Sequence, residues 1–313
     1  MKVELRNIYG GISKLEIVEN DIDANFITHN GTFHADEVMS TVFLLNKHKN
    51  IKLCRTREIN NNDAFIYDVG FGKFDHHQND FDKVRNNGIK YATCGLIWEA
   101  FGKEIISELG IENIDLLYES IEKNLVIDID RDDNGQTIDK EPSIKNITVP
   151  NIIGMFNPNW DELDTENEAF LEAIKFANNV FNNLVSKMVA KEKARKIVED
   201  KIEESENGIL MLDSYMPWKD IVLTSTKEKA KEIFFAIFPS KTGGYAIVAT
   251  PKESNSFELR KEFKEEWGGK SKEELVSLTG IKTFKFCHKN LFICSCDTKE
   301  DALLIAKRAL DIE

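Results

Sequence analysis

The sequence predicts an α/β protein in three parts: a parallel-sheet N-terminal domain over 1–160, a connecting helix over 161–206 and a smaller α+β domain over 207–313. Three observations carry this. Up to about residue 135, short apolar runs alternate with helix-period segments, the pattern of βαβ units around a parallel sheet. Along 166–206 an apolar stripe recurs at steps of three and four, which marks one long amphipathic helix. Beyond 207 strand-like runs predominate over helical ones. At 313 residues the chain is long enough for two cores.

Residues 1–24 read as an N-terminal extension with a hairpin turning at Gly10-Gly11. Phe26-Ile27-Thr28-His29 is strand-like, and a helix follows from Asp36 to Lys47 with Val38, Val42 and Leu45 on one face. Ile51–Cys54 and Ala64–Tyr67 are the next strands, and Cys94–Phe101 and Leu116–Ile129 the next helices. Segment 136–165, with Pro142, Pro150, Gly154 and Pro158, reads as a loop-rich connection. The stripe of the long helix is Phe170, Ile174, Ala177, Phe181, Leu184 and Met188. Its polar side mixes Lys187, Lys191, Arg195 and Lys196 with Glu192, Glu199 and Asp200, as a solvated face does. The last part offers strands at Ile233–Phe238, Tyr245–Thr250, Phe284–Cys287 and Leu291–Cys296, and helices at Lys272–Leu278 and Glu300–Leu310.

Composition narrows the function classes. A formal charge of −13 argues against a broad basic surface for nucleic acid but leaves room for a local basic cleft. No apolar run approaches the ~20 residues of a membrane span. Met1-Lys2-Val3-Glu4 leads into a mixed polar stretch, so a cytoplasmic location is expected. Cys54, Cys94, Cys287, Cys294 and Cys296 are odd in number and irregularly spaced, as reduced thiols are. Cys294-Ser295-Cys296 has no matching second pair, and reads as buried strand cysteines.

The chemistry lies in where histidine and aspartate fall. Four of the six histidines sit in two short clusters, His29–Glu37 (HNGTFHADE) and Asp75–Gln78 (DHHQ). Asp68 ends an apolar run between them, and Asp128, Asp130, Asp132 and Asp133 follow a helical pattern further on. His29 and Asp68 each come just after a strand, where open α/β sheets place ligands. Glycines follow at Gly31, Gly70 and Gly135. Imidazole with carboxylate and no thiolate suits a divalent ion such as Mn²⁺, with Mg²⁺ the alternative. A carboxylate bridging two such ions clamps a phosphoryl oxygen and activates water.

These motifs, with Arg55-Thr56-Arg57, Asp68-Val69-Gly70 and Asp130–Gly135 (DRDDNG), resemble the melanocyte proliferating gene 1 family, whose members resemble the N-terminal domain of the DHH phosphoesterase superfamily. The resemblance continues through Pro217-Trp218-Lys219, Phe257–Lys261, Trp267-Gly268, Phe286-Cys287-His288 and Phe292-Ile293. It implies a two-metal centre held by His29, His34, Asp36, Asp68, His76 and Asp130, with His77 beside the leaving group. The catalytic candidates are then His77, Asp68 and Asp75. It implies Mn²⁺ or Mg²⁺, and 3′→5′ exonuclease action on RNA or short oligonucleotides. Ala35 stands where the family usually has cysteine, and Cys294-Ser295 where it has a glycine pair. In the fourth motif the choice between Asp130 and Asp133 stays open.

The substrate-binding candidates are Arg55, Arg57, Gly243, Gly244, Arg260, Lys261 and His288. Arg260, in an expected helical stretch, is the first choice as phosphate clamp, because guanidinium binds phosphate oxygens in a bidentate manner. Trp218 and Trp267 are candidates for stacking on bases or for the core. The expected active site is a cleft between the domains, and the expected reaction is phosphoester hydrolysis. A small-molecule phosphodiesterase or pyrophosphatase on the same site is the alternative, and a non-catalytic metal-binding scaffold the second. Homodimerisation is left open.

Overall fold

The computed structural model describes residues 1–136, 146–162, 165–254 and 256–312. It is an α/β protein with two mixed sheets, in two compact units, Met1–Val189 and Ala190–Glu313.

The first sheet contains β1 (Lys2–Arg6), β2 (Ile12–Val18), β3 (Phe26–Thr28), β4 (Asn50–Arg55) and β5 (Phe65–Ile66) in the order β1-β2-β4-β3-β5. β2, β4, β3 and β5 run parallel to their neighbours, while β1 is antiparallel to β2. The expectation of an all-parallel sheet preceded by a separate extension is therefore corrected. The first hairpin is the sheet's own edge. Leu15 and Ile17 alternate along β2, are buried, and pair with Ile51 and Leu53 of β4, so the hairpin needs the sheet to cover its apolar side.

Helix α1 (Ala35–Lys47) is buried almost all round, because α2 (Thr93–Ile106), α5 (Val149–Gly154) and the sheet surround it. α3 (Ile114–Ile121) and α4 (Ile127–Asp133) form one helical run joined by a wider π turn over Glu122–Val126. The run thus reaches four residues past the expected end at Ile129 and carries Asp130 and Asp133. Within the segment read as loop, α5 is a helix. Thr148 caps it by accepting from Asn151 N–H at 3.4 Å, and Pro150 sits in its first turn, where a missing N–H leaves no bond unmade. Pro142 lies outside the described residues. Helix α6 (Glu166–Glu203) buries Phe170, Ile174, Ala177 and Phe181. Phe170 meets Phe33 edge-on at 5.4 Å, and Phe181 packs on Phe43 and Trp98.

The second sheet has β6 (Ile209–Met211), β7 (Phe235–Pro239), β8 (Tyr245–Ala249), β9 (Phe286–Cys287) and β10 (Ile293–Cys296), in the order β6-β7-β8-β10-β9. Only the β6–β7 pair is parallel. β6 and the short helices α7 (Lys219–Thr224) and α8 (Glu228–Lys231) were not legible, being too short to show a period. α9 (Lys272–Thr279) and α10 (Lys299–Ala309) lie where expected. The helix expected around Arg260 is absent. Its N–H donates to Thr250 O at 2.8 Å, and Leu259 bridges to Pro251, so this stretch is extended beside the end of β8. All five cysteines are buried and free. No described helix is long and apolar enough to cross a membrane.

Candidate metal centre

β3 and β5 are parallel partners, so their carboxyl ends open on the same side of the sheet. His29 directly follows β3, and Asp68 follows β5 after Tyr67. Asp36 and Glu37 occupy the first turn of α1, Thr93 and Cys94 open α2, and Asp133 ends α4. The chain between Asp68 and His76 turns back on itself: Asp68 N–H donates to Phe74 O at 2.8 Å, and Asp68 itself takes a left-handed backbone with φ +57°.

Asp68 is the residue on which the cluster converges. Its Oδ2 lies 3.4 Å from His29 Nε2, and its Oδ1 lies 3.6 Å from His76 Nε2 and 3.7 Å from His77 Nδ1. On one side, His29, His34 and Glu37 offer ligand atoms within 4.8 Å of one another. On the other, Asp36, His76 and Asp133 do the same. His29 Nδ1 lies 3.0 Å from Asn30 O, which fixes the hydrogen on Nδ1 and turns Nε2 toward Glu37 and Asp68.

His76 Nε2 tests whether this cluster fits a cation. It is buried and makes no hydrogen bond, yet Asp133 Oδ2, Asp36 Oδ2 and Asp68 Oδ1 stand 3.1, 3.6 and 3.6 Å from it. A buried imidazole nitrogen without a hydrogen bond, facing three carboxylate oxygens, is a donor set that a divalent cation fits. The charges agree. Burial raises the Asp36 carboxyl well above its usual range, and the crowding of Asp68, Asp133 and Asp130 raises it further. Burial pulls the His29 imidazole down, but Asp68 and Glu37 outweigh it and push it to about 10. A cation relieves both by supplying the positive charge that protons otherwise supply. The clustered groups can therefore hold metal.

The N-terminus of α2 fixes the carboxylates. Asp36 Oδ2 accepts from Thr93 N–H at 3.1 Å and its Oδ1 from Cys94 N–H at 2.6 Å. The Thr93 hydroxyl lies 3.0 Å from Asp68 Oδ1. These amides are the ones a helix leaves free, and they favour negative charge.

Asp130 and Asp133 separate here. Asp130 is fully buried; its Oδ1 accepts from Gly95 N–H at 2.8 Å and its Oδ2 pairs with Arg85 Nη1 at 2.7 Å. Arg85 in turn donates to Glu122 and stacks on Tyr91. Asp130 thus has one oxygen hydrogen-bonded to Gly95 and the other beside the Arg85 guanidinium. Of the two aspartates left open by the sequence, it is Asp133 that stands beside His76. Cys94 also lies with Asp36 and Asp130, and burial raises its thiol well above its usual range.

His77 is half-exposed, with Nδ1 2.7 Å from Asp75 Oδ1. That hydrogen bond raises the imidazole, and the buried Asp75 is held low by it against its own burial. Asp75 therefore orients His77 and leaves Nε2 as the free nitrogen.

The substrate candidates fare unequally. Arg55 is buried: it donates to Gly31 O at 2.7 Å and to Asn167 Oδ1 at 3.2 Å, and stacks on Phe170, so it braces the His29–His34 loop. Arg57 is exposed, with Nη2 3.4 Å from His29 Nδ1, the ring nitrogen on the side away from Asp68. In the second unit, Arg260 Nη1 donates to Ala230 O, Lys231 O and Ile233 O at the end of α8, a structural use that weighs against a phosphate clamp. Lys261 pairs loosely with Asp311. Gly243 and Gly244 form the β7–β8 turn, where a Cβ on Gly244 would stand 2.2 Å from Cys296 O. His288 Nδ1 accepts from Asn290 N–H at 3.0 Å. Trp218 and Trp267 are core residues.

Sequence reasoning missed Glu37, Thr93, Gly95 and Arg85. Glu37 closes the His29–Glu37 motif, and the other three lie outside the His/Asp clusters. The signal available was Gly95 near the start of an expected helix.

The family model described as uncharacterised protein family UPF0160, the MYG1 exonuclease model, matches residues 25–310. The chain is 32% identical to the MYG1 protein of Saccharomyces cerevisiae, over 90% of this chain and 94% of that one. It is 32% identical to the MYG1 protein of Dictyostelium discoideum, covering 92% and 97%. It is 29% identical to the MYG1 exonuclease of Homo sapiens, covering 90% and 85%.

Proposed function

The chain belongs to the MYG1 family, and from that premise we propose that it is a metal-dependent phosphoesterase, a 3′→5′ exonuclease acting on RNA or short oligonucleotides. Relatives that carry the name MYG1 exonuclease support a nuclease, and the donor set supports metal dependence. The observation that carries the reading is the buried, unbonded His76 Nε2 among three carboxylates, with Asp68 shared between two donor groups. We read the arrangement as a DHH-type centre for two divalent ions, Mn²⁺ suiting mixed imidazole and carboxylate donors best. The reading includes a cytoplasmic protein.

His29, His34, Glu37 and Asp68 would hold one ion, and Asp36, Asp68, His76 and Asp133 the other. Bound there, the ions supply positive charge against the phosphoryl oxygens and make water more acidic. Everything else is done by the chain. Asp68 fixes the two donor groups relative to each other, and the amides of Thr93 and Cys94 hold Asp36 in place. Arg57 offers a guanidinium to a non-bridging oxygen. His77, oriented by Asp75, donates a proton from Nε2 to the leaving oxygen.

The net charge of −13 favours a second reading, a small-molecule phosphodiesterase or pyrophosphatase on the same residues. One assay tests both: purified protein with Mn²⁺ on 3′-labelled RNA, single-stranded DNA, a dinucleotide and pyrophosphate. The exonuclease reading expects the 3′ label to be released from RNA in the first cleavage, as a mononucleotide, and this release to be abolished in Asp68→Asn. Turnover of pyrophosphate alone would transfer the conclusion to the second reading.

A further inference from the structure

We propose that Phe71 is a base-stacking platform beside the metal centre, so that the substrate carries a nucleobase next to the scissile phosphate. This deepens the nucleic-acid reading above and rests on it.

Phe71 stands out on three independent counts. Its side chain is 70% exposed, although it lies in the tight loop between Asp68 and Asp75. Its backbone is left-handed, with φ +57°, a conformation that strains any residue with a side chain. Its N–H donates to Asp75 Oδ2 at 2.7 Å, while Asp75 Oδ1 receives His77 Nδ1 at 2.7 Å. The carboxylate that orients His77 thus also anchors Phe71.

Packing does not account for the ring. The apolar work of the loop is done by Phe74, buried and stacked on Phe65 at 4.9 Å. Gly70 and Gly72 flank Phe71, and a third glycine at 71 would remove both the strain and the exposed apolar surface. A ring kept exposed at that cost, two hydrogen bonds from a catalytic candidate, needs a flat partner. Bases are such partners, and stacking accepts any of the four, as an exonuclease moving through sequence requires. Lys73 on the same turn is exposed and has no carboxylate partner among the described residues, so a cation for an adjacent phosphate is at hand. Trp218 and Trp267, the stacking candidates named from the sequence, are buried.

The test uses the full-length protein with Mn²⁺ and compares wild type, Phe71→Gly and Phe71→Tyr. Glycine removes the ring and relieves the backbone, so loss of folding does not confuse the result; tyrosine keeps the ring. Calorimetric binding of AMP should weaken about ten-fold or more in Phe71→Gly and persist in Phe71→Tyr. The KM for an RNA oligonucleotide should rise similarly, with no rise for the same oligonucleotide made abasic at its terminal residue. Equal AMP binding by wild type and Phe71→Gly, or no AMP binding by wild type, overturns the platform, whatever the turnover. A wild type that binds AMP through Phe71 yet hydrolyses no RNA, DNA or dinucleotide would overturn the exonuclease reading and leave the platform standing.

Discussion

Asp133 Oδ2 lies 3.1 Å from His76 Nε2, while Asp130, one turn earlier on the same helix, directs both oxygens to Arg85 and Gly95. On the reading proposed above, two aspartates three residues apart have different tasks, and substitution should separate them. Asp133→Asn should weaken Mn²⁺ binding at least ten-fold by calorimetry while shifting the melting temperature little. Asp130→Asn leaves Arg85 buried with less compensation, a loss that reaches ~3–5 kcal/mol for a broken buried pair. Glu122 still faces Arg85, so the lower end is expected. If Asp130→Asn instead lost metal at unchanged stability, the two roles would be reversed.

His77 and Asp75 should separate proton transfer from metal binding. His77→Ala is expected to keep its Mn²⁺ content and lose about 10²- to 10⁴-fold in kcat on a phosphodiester with a poor leaving group. A p-nitrophenyl ester, whose leaving oxygen needs no proton, should lose far less. Asp75→Asn should show the same leaving-group pattern more weakly, since it releases the ring's orientation without removing it. Equal losses on both substrates would make His77 a binding group.

Much of the fold and of the site was legible because it rests on local pattern. Val38, Val42 and Leu45 announced α1; His29 and Asp68 stood out as polar residues after strands, and Asp36 and His76 as members of the two His/Asp clusters. What stayed hidden depends on contacts distant in sequence. The first hairpin joins the sheet only because β4 lies beside β2. Reading Asp133 rather than Asp130 as the ligand rests on Arg85, 45 residues away from Asp130. It depends also on Gly95, where a Cβ would stand 1.9 Å from Asp130 Oδ2. Arg260 looked like a phosphate ligand because its residue type says so, and only the end of α8 shows where its Nη1 is used.

Acid should expose the role of Asp21, in the turn between β2 and β3. Its Oδ2 accepts from Asn60 N–H at 2.5 Å and Asn61 N–H at 2.9 Å. Those backbone bonds, Asn60 first, hold the carboxyl below its ordinary value of 3.8. A depressed folded value means the ionised form stabilises the fold. That contribution is complete above the unfolded value, near pH 4, and is lost as pH falls through the lower folded value. Asp21→Asn should therefore melt earlier than wild type at pH 7, with the gap closing as pH falls below about 4. A gap that stays constant over that range would show that the carboxylate's charge is irrelevant there.

Thr93 should govern how Asp68 is presented. Its hydroxyl lies 3.0 Å from Asp68 Oδ1 and 3.2 Å from Phe74 O, so one proton is shared between the carboxylate and the loop that carries it. Asp68 must offer Oδ2 toward His29 and Oδ1 toward His76 at once, and a modest rotation of the carboxylate would spoil one side. Removing an oxygen or nitrogen that steadies a metal ligand typically costs 10- to 100-fold in affinity. Thr93→Val keeps the shape and deletes the hydroxyl; it should lower Mn²⁺ affinity by about that factor and stability by only ~1–2 kcal/mol. Thr93→Ser restores the donor and should restore metal binding. A purely packing role predicts the opposite ranking, with valine close to wild type and serine impaired by its missing methyl.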